Sequence, residues 1–561
     1  MFRAVRWIAF SLFVCLIAWW ASHLSTTSIV SPDHHPKLLV LVVFDQMRGD
    51  FLERWSSLYG PDGFNKLTSE GAWFTNCHYP YSMTVTGAGH ATLGTGCLPS
   101  QHGIIENDWH DRTTGKNAYC ATWGNRYRMV PDGAKSKSGK ADGGAPNRLL
   151  EPALGDIVKE ATSGKGKVIG ISLKDRGGVL PTGMKADVCY WYDNNTGAFV
   201  TSDYYVGTLP ACMKAFNKQK LADKWFGSAW SRFRTDLNYA DYSGPDDVSG
   251  EGTGIKQGRT FPHPMTGGED QPGSRFYDAV YTSPFGNDMT WAAARAILEH
   301  EKLGRGNHTD YLVISFSSND AVGHVWGPDS QEVLDISLRS DLIMADMIRY
   351  LDAHVGRDRY LLALSSDHGI CPLPEAASAK GQNAGRIDPV KEVLALELHL
   401  AAKFGFTGKW IEAISGAGLY LNDRTIKAAG RTYSDIEAEV AAWFSQRPYV
   451  QEVCTRSQML HATGLSPLAQ LNKNSFHPAR SGDVMPLLKP YWFISKYTTG
   501  MTHGSPNNYD THVPLLFFGS SVKPGKLNQK VSPQLAAVIL AHSIDQKMPH
   551  ARIEFVPEVF K

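Results

Sequence analysis

The chain has 561 residues, 42% of them hydrophobic and 20% charged. That balance excludes a disordered or fibrous protein, and the length suits three or four domains or one large α/β enzyme carrying insertions. With 56 Lys and Arg against 55 Asp and Glu, a net charge of +1 leaves neither a nucleic-acid polycation nor an acidic tail.

The first 28 residues read MFRAVRWIAFSLFVCLIAWWASHLSTTS. Arg3 and Arg6 make a positive start, and Trp7–Ala21 is apolar except for Ser11. That run is shorter than the roughly 20 residues a bilayer span needs, so residues 1–28 fit a secretory signal better than a membrane helix. Trp19 and Trp20 stand where a cleavage site prefers small residues, which keeps a retained N-terminal anchor open. On either reading residues 29–561 are exported, with the periplasm as the expected compartment. Export permits disulfides. Beyond Cys15 the chain has seven Cys, an odd number, so at least one thiol stays unpaired within the chain. Cys189 and Cys212, around one hairpin-like stretch, are the only pairing the spacing suggests. No CxxC occurs, which speaks against a thiolate zinc site.

Four apolar runs follow in chain order: Lys37–Asp45 (KLLVLVVFD), Lys167–Lys174 (KVIGISLK), Tyr311–Asp320 (YLVISFSSND) and Tyr360–His368 (YLLALSSDH). Each is short, continuous and rich in β-formers, the pattern of a strand buried on both faces. Helical segments such as Pro152–Thr162 and Met289–His300 lie between them. The alternation predicts an α/β fold, a largely parallel central sheet with helices on both faces. Ligands of such sheets bind beyond the carboxyl ends of the strands, and two of these runs end in Asp, one in Asp-His and one in Lys. Gly133–Pro146 reads as a mobile loop. Residues from about 189 to 284 and from about 373 to 501 read as insertions that form a cap or smaller lobes.

Asp320 and His324 are four residues apart, so on a helical turn they share a face and can grip one metal. Asp45 and the Asp367-His368 pair end strands, and His503 sits in a Gly/Pro-rich loop. Singly, each has a plain reading as a cap or turn residue. Together, three Asp and three His without sulfur suit two adjacent divalent ions, zinc foremost. Two ions about 3.5–4 Å apart can clamp the attacking and leaving oxygens of an in-line displacement. Thr86, in TVTGAGHATLGTG, stands near the start of a predicted helix, where free N–H groups favour a phosphate. Its hydroxyl can serve as a nucleophile, or merely cap the helix.

The segments VVFDQMRGD, TVTGAGHATLGTG, HGIIENDW, SLKDRGG, SSNDAVGH, SSDHG and THGSPNNYDTHVP occur in this order from Asp45 to Pro514. In residues and order they resemble the alkaline phosphatase superfamily, and within it the phosphate-irrepressible bacterial alkaline phosphatases that use a Thr nucleophile. The resemblance implies two Zn2+ per chain, one held by Asp320, His324 and His503, the other by Asp45, Asp367, His368 and the Thr86 oxygen. It implies that Asn107 donates its amide to a phosphate oxygen and that Lys174 and Arg176 contact the others. His503 is preferred to His512 as ligand because relatives carry it in an HG dipeptide; Thr84 is the fallback nucleophile, and His90 and His102 are structural hydrogen-bonders. The implied activity is broad-specificity hydrolysis of small phosphate monoesters through a covalent phosphothreonine, releasing inorganic phosphate, by a monomer with no nucleic-acid partner.

The alternative is a phosphodiesterase or nucleotide pyrophosphatase of the same superfamily. Lys174 and Arg176 discriminate. A monoester carries nearly two negative charges on three free oxygens, which a Lys point charge and a planar Arg fork stabilise. A diester puts a bulky neutral group in that place. A sulfatase would need a C/S-x-P-x-R motif, which is absent at Thr86. A degenerate member that binds without turnover is the competing non-enzyme class, and the full ligand set argues against it.

Overall fold

The chain is described from a computed structural model, which covers residues 35–131, 133–134, 142–416 and 418–561. The N-terminal segment with Arg3, Arg6 and Cys15, and residues 135–141 of the expected loop, lie outside the described residues.

Ten strands make the central sheet: β1 (Leu38–Phe44), β2 (Ala72–Phe74), β3 (Met129–Val130), β4 (Val168–Ser172), β5 (Val188–Asp193), β6 (Ala198–Ser202), β7 (Asp310–Phe316), β8 (Tyr360–Ser365), β9 (Leu515–Gly519) and β10 (Gly525–Leu527). Their order is β10-β2-β9-β8-β1-β7-β4-β5-β6-β3. The five inner strands from β8 to β5 are all parallel. β9 and β6 then run antiparallel at either side, so the whole sheet is mixed. The four apolar runs picked out in the sequence are four neighbours, β8-β1-β7-β4.

Their register is nearly flush. Val43 lies opposite both Ser315 and Ser365, and Ser315 opposite Ser172. Parallel strands ending level deliver the residues that follow, Asp45, Lys174, Asp320 and Asp367-His368, to one rim. Every side chain of β1 is at most 1% exposed. Leu38, Val40, Val42 and Phe44 pack in one core, and Leu39, Leu41 and Val43 in a second on the opposite face. Such burial contributes about 1.5–3 kcal/mol per side chain. Helices Pro284–Glu301 and Gln331–His354 cover the first face; Leu154–Ala161 and Leu535–His542 cover the second.

The stretch read as an insertion from residue 189 begins inside the sheet, because β5 and β6 form a hairpin that extends its edge. An antiparallel partner needs only a tight turn, whereas the parallel strands need helical crossovers. Residues 373–501 carry a separate four-stranded antiparallel sheet (Ile411–Ser415, Gly418–Leu421, Val484–Leu488, Val450–Thr455) with its own core around Leu396, Leu400, Trp410 and Val440.

The suggested Cys189–Cys212 disulfide is not formed; all seven described cysteines are free thiols. Strand alternation explains it. Cys189 points from β5 into one core, against the Thr182 hydroxyl at 3.1 Å, while Cys212, on helix Ala211–Lys218, packs in the core on the other side.

Candidate active site

Thr86 is the first residue of helix Thr86–Thr95, entered through an extended Val85. All ten residues of this helix are buried, and three of them are Gly. Gly within a helix costs about 1 kcal/mol against Ala. Here close approach explains it: a Cβ at Gly89 would lie 2.1 Å from the Asp367 carbonyl oxygen. The missing side chain lets the Thr86 helix sit directly against the strand end that carries Asp367-His368. Gly89→Ala is therefore expected to separate the two, lowering stability by about 1–3 kcal/mol in a denaturant melt and turnover with it. An unchanged midpoint would show that the contact is slack.

The Thr86 Oγ1 lies 3.4 Å from His368 Nε2 and 3.4 Å from Lys174 Nζ. Around it the six acidic and imidazole residues form two adjoining groups. In one, donor atoms of Asp45, Asp367 and His368 lie within 4.8 Å of one another; in the other, those of Asp320, His503 and again His368. His324, on the same helix as Asp320, brings Nε2 to 3.1 Å from Asp320 Oδ1, and His503 Nε2 is 3.6 Å from the same oxygen.

The donor atoms face inward for a reason visible in their outer partners. Nδ1 of His324 contacts the Met501 carbonyl (2.6 Å), Nδ1 of His368 that of Gly369 (2.9 Å) and Nδ1 of His503 that of Thr84 (2.9 Å). A carbonyl only accepts, so each Nδ1 carries a proton, which leaves Nε2 of His368 and His503 to present a lone pair to the site. At His324 burial is outweighed by Asp320, 3.1 Å from Nε2, which holds His324 above the usual imidazole range. Burial pushes His368 and His503 below the usual imidazole range, and for His503 the neighbouring His368 and His324 add to it. Both are thus neutral at pH 7.

Charge points the same way. Asp45, Asp320 and Asp367 are all buried, and the cation among them is Lys174, whose ammonium donates to Asp45 Oδ2 and Asp320 Oδ2, each at 2.6 Å. Burial alone would push Lys174 down; Asp320 and Asp45 outweigh it, and the net shift is upward. Asp45 Oδ1 has no hydrogen-bond partner among the described residues, Asp367 Oδ2 has only His90 Nδ1 at 3.1 Å, and each oxygen is 3.5 Å from His368 Nε2. Buried carboxylate oxygens left unpaired are costly. An inward-facing set of such oxygens and neutral imidazole nitrogens fits divalent cations of the zinc class.

The residues expected to contact phosphate flank this pocket. Asn107 Oδ1 accepts from the Gly87 N–H at 2.8 Å, tying the Asn107 amide to the start of the Thr86 helix. Arg176 does not pair its side chain with the adjacent Asp175. It donates from its guanidinium to the Tyr119 hydroxyl (3.1 Å), Tyr119 in turn donates to Asp175, and the Arg176 Nε is buried without a partner.

The other sequence candidates stand apart from the donor atoms or behind them. Thr84 donates its hydroxyl to the Ser505 carbonyl. His512 reaches the Thr75 carbonyl through Nε2 and stacks on His78. His102 bridges Thr92 Oγ1 and the Ile104 N–H. His90 contacts the Thr86 carbonyl (2.9 Å), Asp367 Oδ2 (3.1 Å) and Ser315 Oγ (2.8 Å), joining helix, ligand group and sheet.

Two residues were not singled out in the sequence. Gln46 donates its amide to Asp320 Oδ1 (2.7 Å) and its backbone N–H to Asp367 Oδ1 (3.1 Å), with a left-handed φ of 71°. Strained backbone of this kind is held only where its surroundings determine it; the available signal was its place directly after Asp45. Tyr281 lies within electrostatic reach of Lys174, Asp320, Arg176 and Asp45, and burial pushes its phenol up. Nothing in the aromatic-rich stretch around it distinguished it.

Residues 39–512 match the family model for type I phosphodiesterase / nucleotide pyrophosphatase. The chain is 34% identical to a protein named calcium-transporting ATPase from Myroides odoratus, over 92% of this chain and 93% of that one. It is 34% identical to alkaline phosphatase PafA of Elizabethkingia meningoseptica (88% of this chain, 89% of that one) and 34% identical to alkaline phosphatase PhoV of Synechococcus elongatus (90% of each). The crystal structure of PafA superposes with a TM-score of 0.86 at 32% identity, covering 94% of this chain and 99% of that chain. With a family model and relatives that both span most of its length, the chain belongs to the type I phosphodiesterase / nucleotide pyrophosphatase family of the alkaline phosphatase superfamily.

Proposed function

We propose that this protein is a metal-dependent phosphate monoester hydrolase, an alkaline phosphatase acting through Thr86. The observation that carries this reading is a buried Lys beside the Thr86 hydroxyl, with a half-buried Arg two residues further along the chain. Lys174 is 3.4 Å away, and Arg176, two residues on, keeps an unpaired donor. A Lys at the nucleophile with an Arg two residues on suits a dianionic ester rather than a diester. A further observation agrees. A structure of a PafA variant has one Thr changed to Ser, and an Asn, a Lys and an Arg changed to Ala. Its Thr-to-Asn interval of 21 residues and Lys-to-Arg interval of two equal those of Thr86–Asn107 and Lys174–Arg176.

The residues that would hold a metal pair are Asp320, His324 and His503 on one side and Asp45, Asp367, His368 and Thr86 on the other. Bound Zn2+ supplies positive charge beside the attacking and leaving oxygens, which lowers the cost of both. The chain's own groups do the rest. Thr86 gives up its hydroxyl proton to solvent, its Oγ1 attacks phosphorus in line, the bond to the leaving oxygen breaks and that oxygen takes a proton from water, and a phosphothreonine forms. Lys174, kept cationic by Asp45 and Asp320, cannot take the Thr86 proton; it stabilises negative charge on that oxygen. Asn107 and Arg176 hold the phosphoryl oxygens, so that positioning and preformed charge do most of the catalytic work. Water entering from the vacated side then displaces Thr86 and releases inorganic phosphate. His512 takes no part in this scheme, and Thr84 does not replace Thr86.

Residues 373–501 serve as the lobe that closes over the site, and the protein acts as a monomer without a nucleic-acid partner. Residues 1–28, with Arg3 and Arg6 ahead of an apolar run, direct export to the periplasm, as a signal or a retained anchor. The test combines elemental analysis with paired assays of a mono- and a diester of the same leaving group. Two zinc per chain are expected, with the monoester far preferred. Chelation should stop turnover and zinc restore it. A diester preference, or activity surviving complete metal removal, would overturn the reading.

A further inference from the structure

A cavity of about 370 Å³ adjoins the site and is lined by His324 and His503. Val85, Glu106 and Asn107 line it from the catalytic core; Tyr420, Phe476, Trp492 and Phe493 line it from the 373–501 lobe. No Lys or Arg is among the described residues that line it, and the carboxyl groups among them are those of Glu106 and Asp510. Asp510 is already engaged, accepting from the backbone and hydroxyl of Ser505. Glu106 makes no hydrogen bond to the described residues. Its Oε2 instead fills the space over Gly416, where a Cβ would fall 1.8 Å from it, at a left-handed φ of 48°. The lobe thus approaches the Glu106 carboxyl as closely as only a glycine permits.

In-line displacement puts the leaving oxygen on the side of the phosphate away from the nucleophile. Thr86 Oγ1 rests against His368. His324 and His503, beyond it, are the ligand-type residues that also line the cavity, so a departing alcohol would project there. We propose that this cavity is the leaving-group subsite, that it takes uncharged aromatic alcohols, and that Glu106 determines its specificity by disfavouring leaving groups that carry a further negative charge. The aromatic walls favour a planar apolar group. With no cation to receive it, a second anion would be desolvated beside a carboxyl group. Burial, with Asp108 adding to it, pushes the Glu106 carboxyl up to about 8, so it ionises in the alkaline range.

This inference rests on the monoesterase reading. Its test compares phenyl phosphate with 4-carboxyphenyl phosphate at pH 9, using the zinc-loaded full chain and its Glu106→Gln and Glu106→Lys variants. Each ester's intrinsic reactivity cancels when the ratio of the two kcat/KM values is compared between proteins. The carboxy-to-phenyl ratio should rise about fivefold in Glu106→Gln and further in Glu106→Lys, mostly through KM. A ratio within twofold of wild type in both variants overturns the proposal while leaving the monoesterase reading intact. If Glu106→Lys does not fold, the isosteric Glu106→Gln decides alone. If the unsubstituted protein turns over neither ester, both readings fall together.

Discussion

Thr86→Ala is expected to lower monoester turnover by on the order of 10³-fold or more, and Thr86→Ser to retain a covalent route. The hydroxyl is buried at the first position of its helix, within 3.4 Å of both His368 Nε2 and Lys174 Nζ. Thr84, the neighbouring hydroxyl, is tied to the Ser505 carbonyl and cannot substitute without moving. Trapping at low pH followed by peptide mass spectrometry should find phosphate on Thr86 in the wild type, on the introduced serine in Thr86→Ser, and nowhere in Thr86→Ala. Turnover by Thr86→Ala that matches the wild type would refute the phosphothreonine. A small residue of activity is compatible with water reacting directly in a site that still binds and polarises the ester.

Replacing Lys174 and Arg176 together by Ala should cut monoester kcat/KM by on the order of 10⁴-fold, since one preorganised donor is worth about 10²–10³. Diester hydrolysis should fall by about tenfold or less, because the missing negative charge gave those cations less to stabilise. Equal losses on both ester types would mean that neither side chain reads the second charge. The variant must be compared with its metals bound. Lys174 spans Asp45 and Asp320, and without bound metal its removal would leave buried carboxylates uncompensated. Breaking a buried ion pair in this way typically costs about 3–5 kcal/mol. The metal-free double variant should therefore melt well below the metal-free wild type, and added zinc should restore most of the difference. Identical melting with and without zinc would mean that the carboxylates do not hold it.

The four strands that carry the site were legible because a parallel strand buried on both faces must be continuously apolar, and continuous apolar runs stand out. Asp45, Thr86, Asp320 and the Asp367-His368 pair follow from such runs or from a Gly-rich turn with a recognisable pattern. The hairpin of β5 and β6 was less legible. Its aromatic strands look like the insertion that follows, and only pairing to β4 puts them in the sheet. The disulfide suggestion erred because nearness in sequence ignores strand alternation, which turns Cys189 away from the face on which the helix carrying Cys212 packs. Gln46 and Tyr281 had no motif of their own, since their parts depend on backbone strain and on a fold-back from a distant segment.

What the sequence determined by itself was the chemistry available: which strands are buried, which carboxylates and imidazoles end them, and the family they resemble. Only the tertiary structure decided what meets. Parallel register levels four strand ends, Gly89 lets the Thr86 helix close on Asp367, and the 373–501 lobe brings Gly416 against Glu106. Local periodicity depends on neighbours a few residues apart, whereas these contacts join residues hundreds of positions apart, and their geometry arises when the packed cores fix the elements against one another.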